Sequence, residues 1–450
     1  MVVGTAVGKQ GQEGWPEVTD TARGPEDGDG VRGPGAGASA TGSGLRRRRR
    51  RRWLRWSALG TVLALTGAAG IGWTVYTKLN GNITPDEAAA AELARYEKER
   101  PTSLVRGAQN ILLIGSDSRS GKDNARYGRD PGTERSDTAM LLHLSAGRRS
   151  ATAVSLPRDL MVDVPGCRRP DGSRSAPAFA QFNYAFEVGG SACSIRTVEK
   201  LTHVRIDHHV VVDFHGFKEM VDAVDGVEMC LRAPVTDKAA RLRLPAGRVT
   251  LSGEQALGYV RARKSLGNGS DTDRMERQQR FLGALVNKVQ SNRVLLNPVK
   301  LYPVLNAATS ALTTDPELAN LRGLYELVRG LRDIPTERVQ FLTVPRRSWD
   351  QNPNRDQLVE PAAQELFTRL RTDEPVTVTW KTRPRTPGGA PGAEPASESG
   401  THYEDAILFG HGAQSEGDRP LPGQPVSSPI GNPSPTPTYR GNTAAEELCE

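Results

Sequence analysis

The sequence predicts an α/β fold: a mixed central sheet covered by helices and preceded by one transmembrane helix. Three observations predict it. Short apolar runs alternate with helical patterns through the middle of the chain, the arrangement that builds a sheet with helices packed on it. One uncharged stretch, Trp56 to Thr77, is 22 residues long, enough helix to cross a hydrocarbon core of about 30 Å. The 450 residues include 47 Gly and 31 Pro, many of them near the two ends. They leave an inner stretch of about 270 residues with ordinary composition, long enough to bury a sizeable core.

Residues 1–45 are rich in Gly, Pro, Ala, Ser and acids and have little apolar periodicity. Such a segment cannot offset its chain entropy by burial, so 1–52 is expected to be a disordered cytoplasmic tail ending in an arginine run. The formal net charge is +7, and the seven arginines Arg46 to Arg52 account for all of it. The basic balance is therefore local, which argues against a nucleic-acid-coating surface; no nucleic-acid partner is expected. The span is placed at 53–78, with Trp53, Trp56, Trp73 and Tyr76 near its two ends, where amphipathic rings prefer the interface. The arginines beside it fix the N-terminal side as cytoplasmic. A cleaved signal peptide fits less well, because the apolar run is long and no A-x-A site directly follows it. The expected location is the cell membrane, single-pass, with the rest of the chain extracytoplasmic. Cys167, Cys193, Cys230 and Cys449 suit that compartment as disulfides. None forms C-x-x-C, and Cys167–Cys193 is the favoured pair among the three pairings that four cysteines allow.

Residues 79–104 read as an extracytoplasmic spacer, with a short polar helix over Pro85 to Arg100. The main domain is placed at 105–372. Its strands are expected at Asn110–Gly115, Thr138–Leu144, Ala151–Leu156, His208–Phe214 and Val339–Val344, with a last one at Val376–Trp380. Helical patterns fall at Ile195–Leu201, Phe217–Val224, Glu254–Val260, Arg274–Gln290 and Pro316–Leu331. Residues 373–450 are expected to hold that final strand and then a flexible Pro/Gly/Ser-rich tail from about Thr382. No internal repeat is visible.

Arginines and aspartates gather where these strands end, the edge at which open α/β sheets form their ligand crevices. Asp117 and Arg119 follow the first strand, Arg135 and Asp137 precede the second, and Arg158 and Asp159 follow the third. Arg261 and Arg263 are two apart and would share one face of an extended segment. Asp271 precedes Arg274, Arg277 and Gln278, whose spacing suits one helix face. Guanidinium forks match phosphate oxygens in pairs and stay charged at any working pH. The aspartates among them suggest a hard cation, since Mg²⁺ is typically held by one or two carboxylates plus phosphate oxygens. A site for a pyrophosphate–Mg²⁺ unit accounts for both; structural ion pairs are the competing explanation. The apolar stretch Val294–Leu312 could line a groove for a prenyl chain. Gly115–Asp123 lacks the spacing and the Ser/Thr of a P-loop. The histidines have no zinc spacing, and no serine lies in a G-x-S-x-G elbow.

The motifs N-I-L-L-I-G-S-D-S-R (110–119), R-S-D-T (135–138), S-L-P-R-D (155–159), F-N-Y-A-F-E-V-G-G (182–190), Y-V-R-A-R (259–263) and D-T-D-R-M-E-R-Q-Q (271–279) together resemble the LytR-CpsA-Psr (LCP) family. The resemblance covers 105–290 and is expected to extend to about 372. It implies an LCP-like α/β/α domain and a Mg²⁺-dependent phosphotransferase. Such an enzyme moves glycopolymer from a polyprenyl-pyrophosphate carrier onto peptidoglycan through a phosphodiester. By the same resemblance Asp117 and Asp137 form the Mg²⁺-binding pair, and Arg119, Arg135, Arg158, Arg261, Arg263, Arg274 and Gln278 bind the pyrophosphate. The resemblance also implies that Asp271 activates the acceptor hydroxyl, with Arg263 and Arg158 beside it in the catalytic set. The chain departs from the family pattern at Ser270–Arg274, where Asp271 and Asp273 both offer a carboxylate; Asp271 is favoured by its offset from Arg274. The alternatives are a polyprenyl-pyrophosphate phosphatase or pyrophosphatase using water as acceptor, a LytR-type transcriptional attenuator, and a non-catalytic wall or lipid binder. Attenuation is disfavoured by the absence of a helix-turn-helix pattern and by a cytoplasmic portion of low complexity. The polymer and the acceptor atom are not specified by these residues.

Overall fold

The structure is a computed structural model and describes residues 43–117, 136–262, 271–291, 298–379 and 437–446. The chain divides into two units, 1–69 and 70–450. The first, where described, is helix: it holds the start of α1 (Ser43–Asn82), whose stretch Trp53–Asn82 is long and apolar enough to cross a membrane and is not buried in its most apolar window.

The second unit is built on a nine-stranded mixed sheet. Its strands are β1 (Thr84–Pro85), β2 (Gln109–Ser116), β3 (Ser136–Leu144), β4 (Ala151–Leu156), β5 (His208–Val212), β6 (Leu312–Thr314), β7 (Val339–Thr343), β8 (Thr377–Thr379) and β9 (Thr438–Thr443). They lie in the order β1-β6-β5-β2-β3-β4-β7-β9-β8. β2 is parallel to β5, β4 is parallel to β7, and β3 runs antiparallel between β2 and β4. The carboxyl ends of β2, β4, β5 and β7 therefore share one edge.

Alternation along the strands makes two apolar faces. Leu112, Leu141, Val154 and Leu342 stand in directly paired positions and are buried on one face. That face packs against α3 (Phe182–Thr202) and α9 (Ala362–Thr372). Their neighbours Ile111, Leu142, Ala153 and Phe341 make the other row, covered by α6 (Asp271–Ser291) and α8 (Leu321–Arg332). A separate apolar cluster joins α4 (Phe214–Ala223), α5 (Gly253–Arg261) and α6 to the hairpin Val227–Leu231/Gly247–Leu251. α2 (Glu87–Arg95) begins at Asp86, whose side chain accepts from Ala89 N at 3.0 Å, and α7 (Pro298–Ala311) lies against α4.

Several expectations change. α3 starts thirteen residues before Ile195, because Gly189 and Gly190 kink the helix without ending it. The fourth expected strand stops at Val212, since Asp213 caps α4 by accepting from Gly216 N at 2.8 Å. The pattern over 316–331 forms a helix only from Leu321, after Asn320 supplies the cap. Most consequential, Thr438–Thr443 lies inside the stretch read as flexible, yet it is a sheet strand between β7 and β8. It places Gly441 where a Cβ would meet the carbonyl oxygen of Phe341. Cys167 and Cys193 form a disulfide, and Cys230 is also disulfide-bonded; Cys449 lies outside the described residues.

Candidate active site

At the shared strand edge a cavity of about 640 Å³ opens. Asp117 follows β2 and Asp137 stands near the start of the adjacent β3, at the register shift where Gly115 pairs with Thr138 and Ser116 with Ser136. Arg158 and Asp159 follow β4 past Pro157. α5 brings Arg261 and α6 brings Arg274 and Gln278. One buried anchor holds α6 over this edge: Gln279 donates from Nε2 to Ser155 Oγ (2.8 Å) and Thr343 Oγ1 (2.9 Å), tying the helix to β4 and β7.

The cavity has two chemical ends. Its mouth is ionic. Its interior is apolar, lined among others by Val210, Phe217, Met220, Leu257, Phe281 and Leu285. The expected groove wall at Val294–Leu312 is a different matter. Residues 292–297 lie outside the described set, and none of 301–312 lines the cavity. That stretch instead forms most of α7, with Ala311 packed so tightly on Gly216 that a Cβ there would lie 2.6 Å from the Ala311 Cβ.

Arg158 is the hub of the mouth. It donates from Nη1 to Asp137 Oδ1 (3.0 Å) and from Nε to Asp159 Oδ2 (3.2 Å), and Nε lies 3.7 Å from Asp271 Oδ2. Arg274 Nη2 lies 3.4 Å from the same Asp271 oxygen. Burial works against the Arg158 charge, but Asp159, Asp271 and Asp137 outweigh it and hold the guanidinium above its ordinary pKa. Burial, reinforced by contact with the Asp271 carboxyl, pushes Asp159 upward against the pull of Arg158 and Arg355.

The structure thus brings together Asp117, Asp137, Arg158, Arg261, Arg274 and Gln278 around one cavity, with Asp271 in an adjoining recess beside Asp137, Arg158 and Arg274. Arg119, Arg135 and Arg263 lie outside the described residues. Arg261 is the last residue of α5 rather than part of an extended segment, so its pairing of faces with Arg263 does not follow from alternation. Its guanidinium stacks over the Phe214 ring at 4.3 Å. Arg277 turns away from the cavity and donates to the carbonyl of Ala262, while Gln278 donates to that of Val260 at 3.3 Å. Together they satisfy carbonyls that the end of α5 leaves open. Of the two candidate bases, Asp271 faces Arg158 and Arg274; Asp273 lines neither the cavity nor the recess.

Residues outside the expected set complete the mouth. Gln181 donates to Asp159 Oδ1 at 2.9 Å, and Arg355 approaches the same oxygen at 3.4 Å. Asp356 is buried and ion-paired to Arg346, which also donates to Thr272 Oγ1 in the first turn of α6. The dipeptide Arg355-Asp356 repeats Arg158-Asp159. That repetition was the available signal, but nothing local ties it to β4.

Residues 75–372 match the model of the LytR_cpsA_psr family. The chain belongs to that family. Among family proteins, it is 39% identical over 232 residues to the probable cell wall biosynthesis protein LcpB of Corynebacterium glutamicum, covering 50% of this chain and 53% of that one. It is 26% identical over 294 residues to the polyisoprenyl-teichoic acid–peptidoglycan teichoic acid transferase TagT of Bacillus subtilis, covering 63% and 84%. The chain spans about half the length of the corynebacterial relatives it matches, LcpB and LcpA. Similar solved structures include TagT bound to LI-WTA, with TM-score 0.45, 22% identity and 61% and 96% coverage. The LytR-Csp2A-Psr enzyme from Actinomyces oris has TM-score 0.47, 20% identity and 60% and 93% coverage.

Proposed function

We propose that this family member is a membrane-anchored phosphotransferase that moves a glycopolymer from a polyprenyl-pyrophosphate carrier to peptidoglycan. The observation that carries the proposal is the two-ended cavity: an apolar interior suited to a prenyl chain, opening on arginines and carboxylates suited to a diphosphate. The names of the relatives point to the same chemistry. The apolar helix Trp53–Asn82, the arginine run on its N-terminal flank and the disulfide-bonded domain support an extracytoplasmic catalytic unit.

In the proposed reaction the acceptor hydroxyl oxygen attacks the phosphorus nearer the glycan. The bond from that phosphorus to the bridging oxygen breaks, and polyprenyl monophosphate leaves. Asp271 takes the hydroxyl proton, and Arg158 and Arg274 hold its carboxylate toward the mouth. Arg158, Arg261 and Arg274 neutralise the phosphoryl oxygens, with Arg119, Arg135 and Arg263 assigned to the same task from the sequence. Asp117 and Asp137 fit a Mg²⁺ site, being two hard oxygen donors on adjacent strand ends at one cavity. Bound there, the ion would supply further charge neutralisation at the phosphates.

Full-length protein in nanodiscs, given Mg²⁺, a lipid-linked glycan donor and peptidoglycan, is expected to yield a glycan–peptidoglycan phosphodiester and polyprenyl monophosphate by mass spectrometry. Free phosphorylated glycan with no adduct would replace transfer by hydrolysis.

A further inference from the structure

We infer that Phe179 and Trp349 form a platform for the acceptor glycan beside the cavity, on the two hairpins that contribute Gln181 and Arg355 to its lining, an inference that rests on the transferase proposal above. Phe179 sits mid-strand in the hairpin Met161–Val164/Ala178–Gln181 and is 56% exposed. Trp349 ends the first strand of the hairpin Arg346–Trp349/Asn352–Leu358. The two rings meet edge to face, with centroids 5.9 Å apart and planes at 63°.

Both hairpins reach directly into the site. Phe179 and Gln181 are two residues apart on one strand and share a face, so the ring stands one pleat outward from the amide that holds Asp159. On the second hairpin, Arg346 and Asp356 pair beneath α6, and the register jumps between Ser348 and Trp349. An irregularity of this kind re-aims the side chain that follows it; here it brings Trp349 against Phe179.

The exposed Phe179 ring, with the half-buried Trp349 against it, adds little to the core, because an exposed ring forfeits the burial that would stabilise it. The pair is well explained by a saccharide. In an edge-to-face pair, the ring presenting its edge keeps both faces clear of its partner, and the electron-rich face attracts the polarised C–H groups of a pyranose. Hydrogen-bonding groups stand beside it: Arg347 and Asp350 are paired and exposed, and Gln357 donates to Asp350 at 3.1 Å.

Position selects the acceptor over the donor. Arg158 separates the mouth into two sides, with Nη1 toward Asp137 and Nε toward Asp159 and Asp271. The platform hangs from Asp159, on the side of the proposed base. A glycan lying across the rings approaches from the Asp159 side and can deliver its hydroxyl to Asp271, which shares a recess with Asp137 and Arg158.

The test uses full-length Phe179→Ala and Trp349→Ala in nanodiscs, with Phe179→Tyr and Trp349→Tyr as conservative partners. Each alanine variant is expected to raise the peptidoglycan KM about two- to twelvefold, from the roughly 0.5–1.5 kcal/mol typical of an aromatic contact. The rise appears in KM and not in kcat, and the tyrosine variants recover most of it. In parallel, NMR titration with a soluble peptidoglycan tetrasaccharide should show weaker binding by both alanine variants. An unchanged acceptor KM overturns the inference. A rise in donor KM instead assigns the platform to the donor glycan and also overturns it, as does a kcat loss that tyrosine does not rescue. Tetrasaccharide binding lost in the alanine variants of a protein that forms no adduct would sink the transferase proposal and leave the platform standing.

Discussion

Arg158 touches three carboxylates from three parts of the chain: Asp137 from β3, Asp159 beside it and Asp271 from α6. A lysine is a compact point charge and cannot make the divergent bonds of a planar guanidinium. Arg158→Lys should therefore leave the carboxylates mutually repelling and reduce transfer even though the charge is kept. Asp271→Asn keeps the shape but removes the proton acceptor; the expected loss in kcat is about 10²- to 10⁴-fold. Steady-state transfer at saturating donor measures both, and an Asn variant at wild-type rate would remove Asp271 from the base role. That Asp117, Asp137 and Arg158 meet at one edge was readable in the sequence, because all three lie beside strand ends; Arg119, Arg135 and Arg263 lie outside the described residues. The contact between Asp159 and Asp271 was not readable. It depends on where α6 docks, and that is set by Gln279 reaching two hydroxyls on separate strands.

At the scale of elements, the strands of the buried sheet were readable because apolar β-rich runs have few other uses; Ala151–Leu156 is identical in sequence pattern and structure. Elements defined by pairing alone were not. The polar hairpin Arg346–Trp349/Asn352–Leu358 and strand β9 carry little apolar signal and exist through their neighbours. α2 shows how a short helix is fixed. Asp86 caps it, accepts from His209 Nε2 at 3.2 Å and bonds Ser191. Burial works to raise the Asp86 pKa, but the hydrogen bonds from His209, Ser191 and Ala89 N prevail and lower it to about 2. A carboxyl lowered on folding stabilises the protein above its unfolded pKa, and that stability drains as pH falls toward the folded value. The affected window runs from the ordinary 3.8 down to about 2. Asp86→Asn should lower neutral-pH stability by about 0.5–2 kcal/mol, the range for a lost helix cap, and flatten the acid limb of the melting curve. Thermal melts at pH 7, 4 and 3 decide it: an unchanged acid limb would mean that Asp86 is not linked to folding.

At the scale of the whole molecule, the proposed chemistry requires the second unit to stand outside the cytoplasm, because peptidoglycan is there. An alkaline phosphatase fusion at residue 100 should be active and a β-galactosidase fusion at the same point inactive; the opposite pair of results would bring the regulatory alternative forward. The seat of β9 carries a different consequence. β7 and β9 are paired neighbours although about a hundred residues separate them in the chain. Until positions 438–443 arrive, β7 has a bare flank of unmatched amides and carbonyls. During synthesis the chain thus passes through a sticky interval, in which another polypeptide can occupy the berth reserved for Thr438–Thr443.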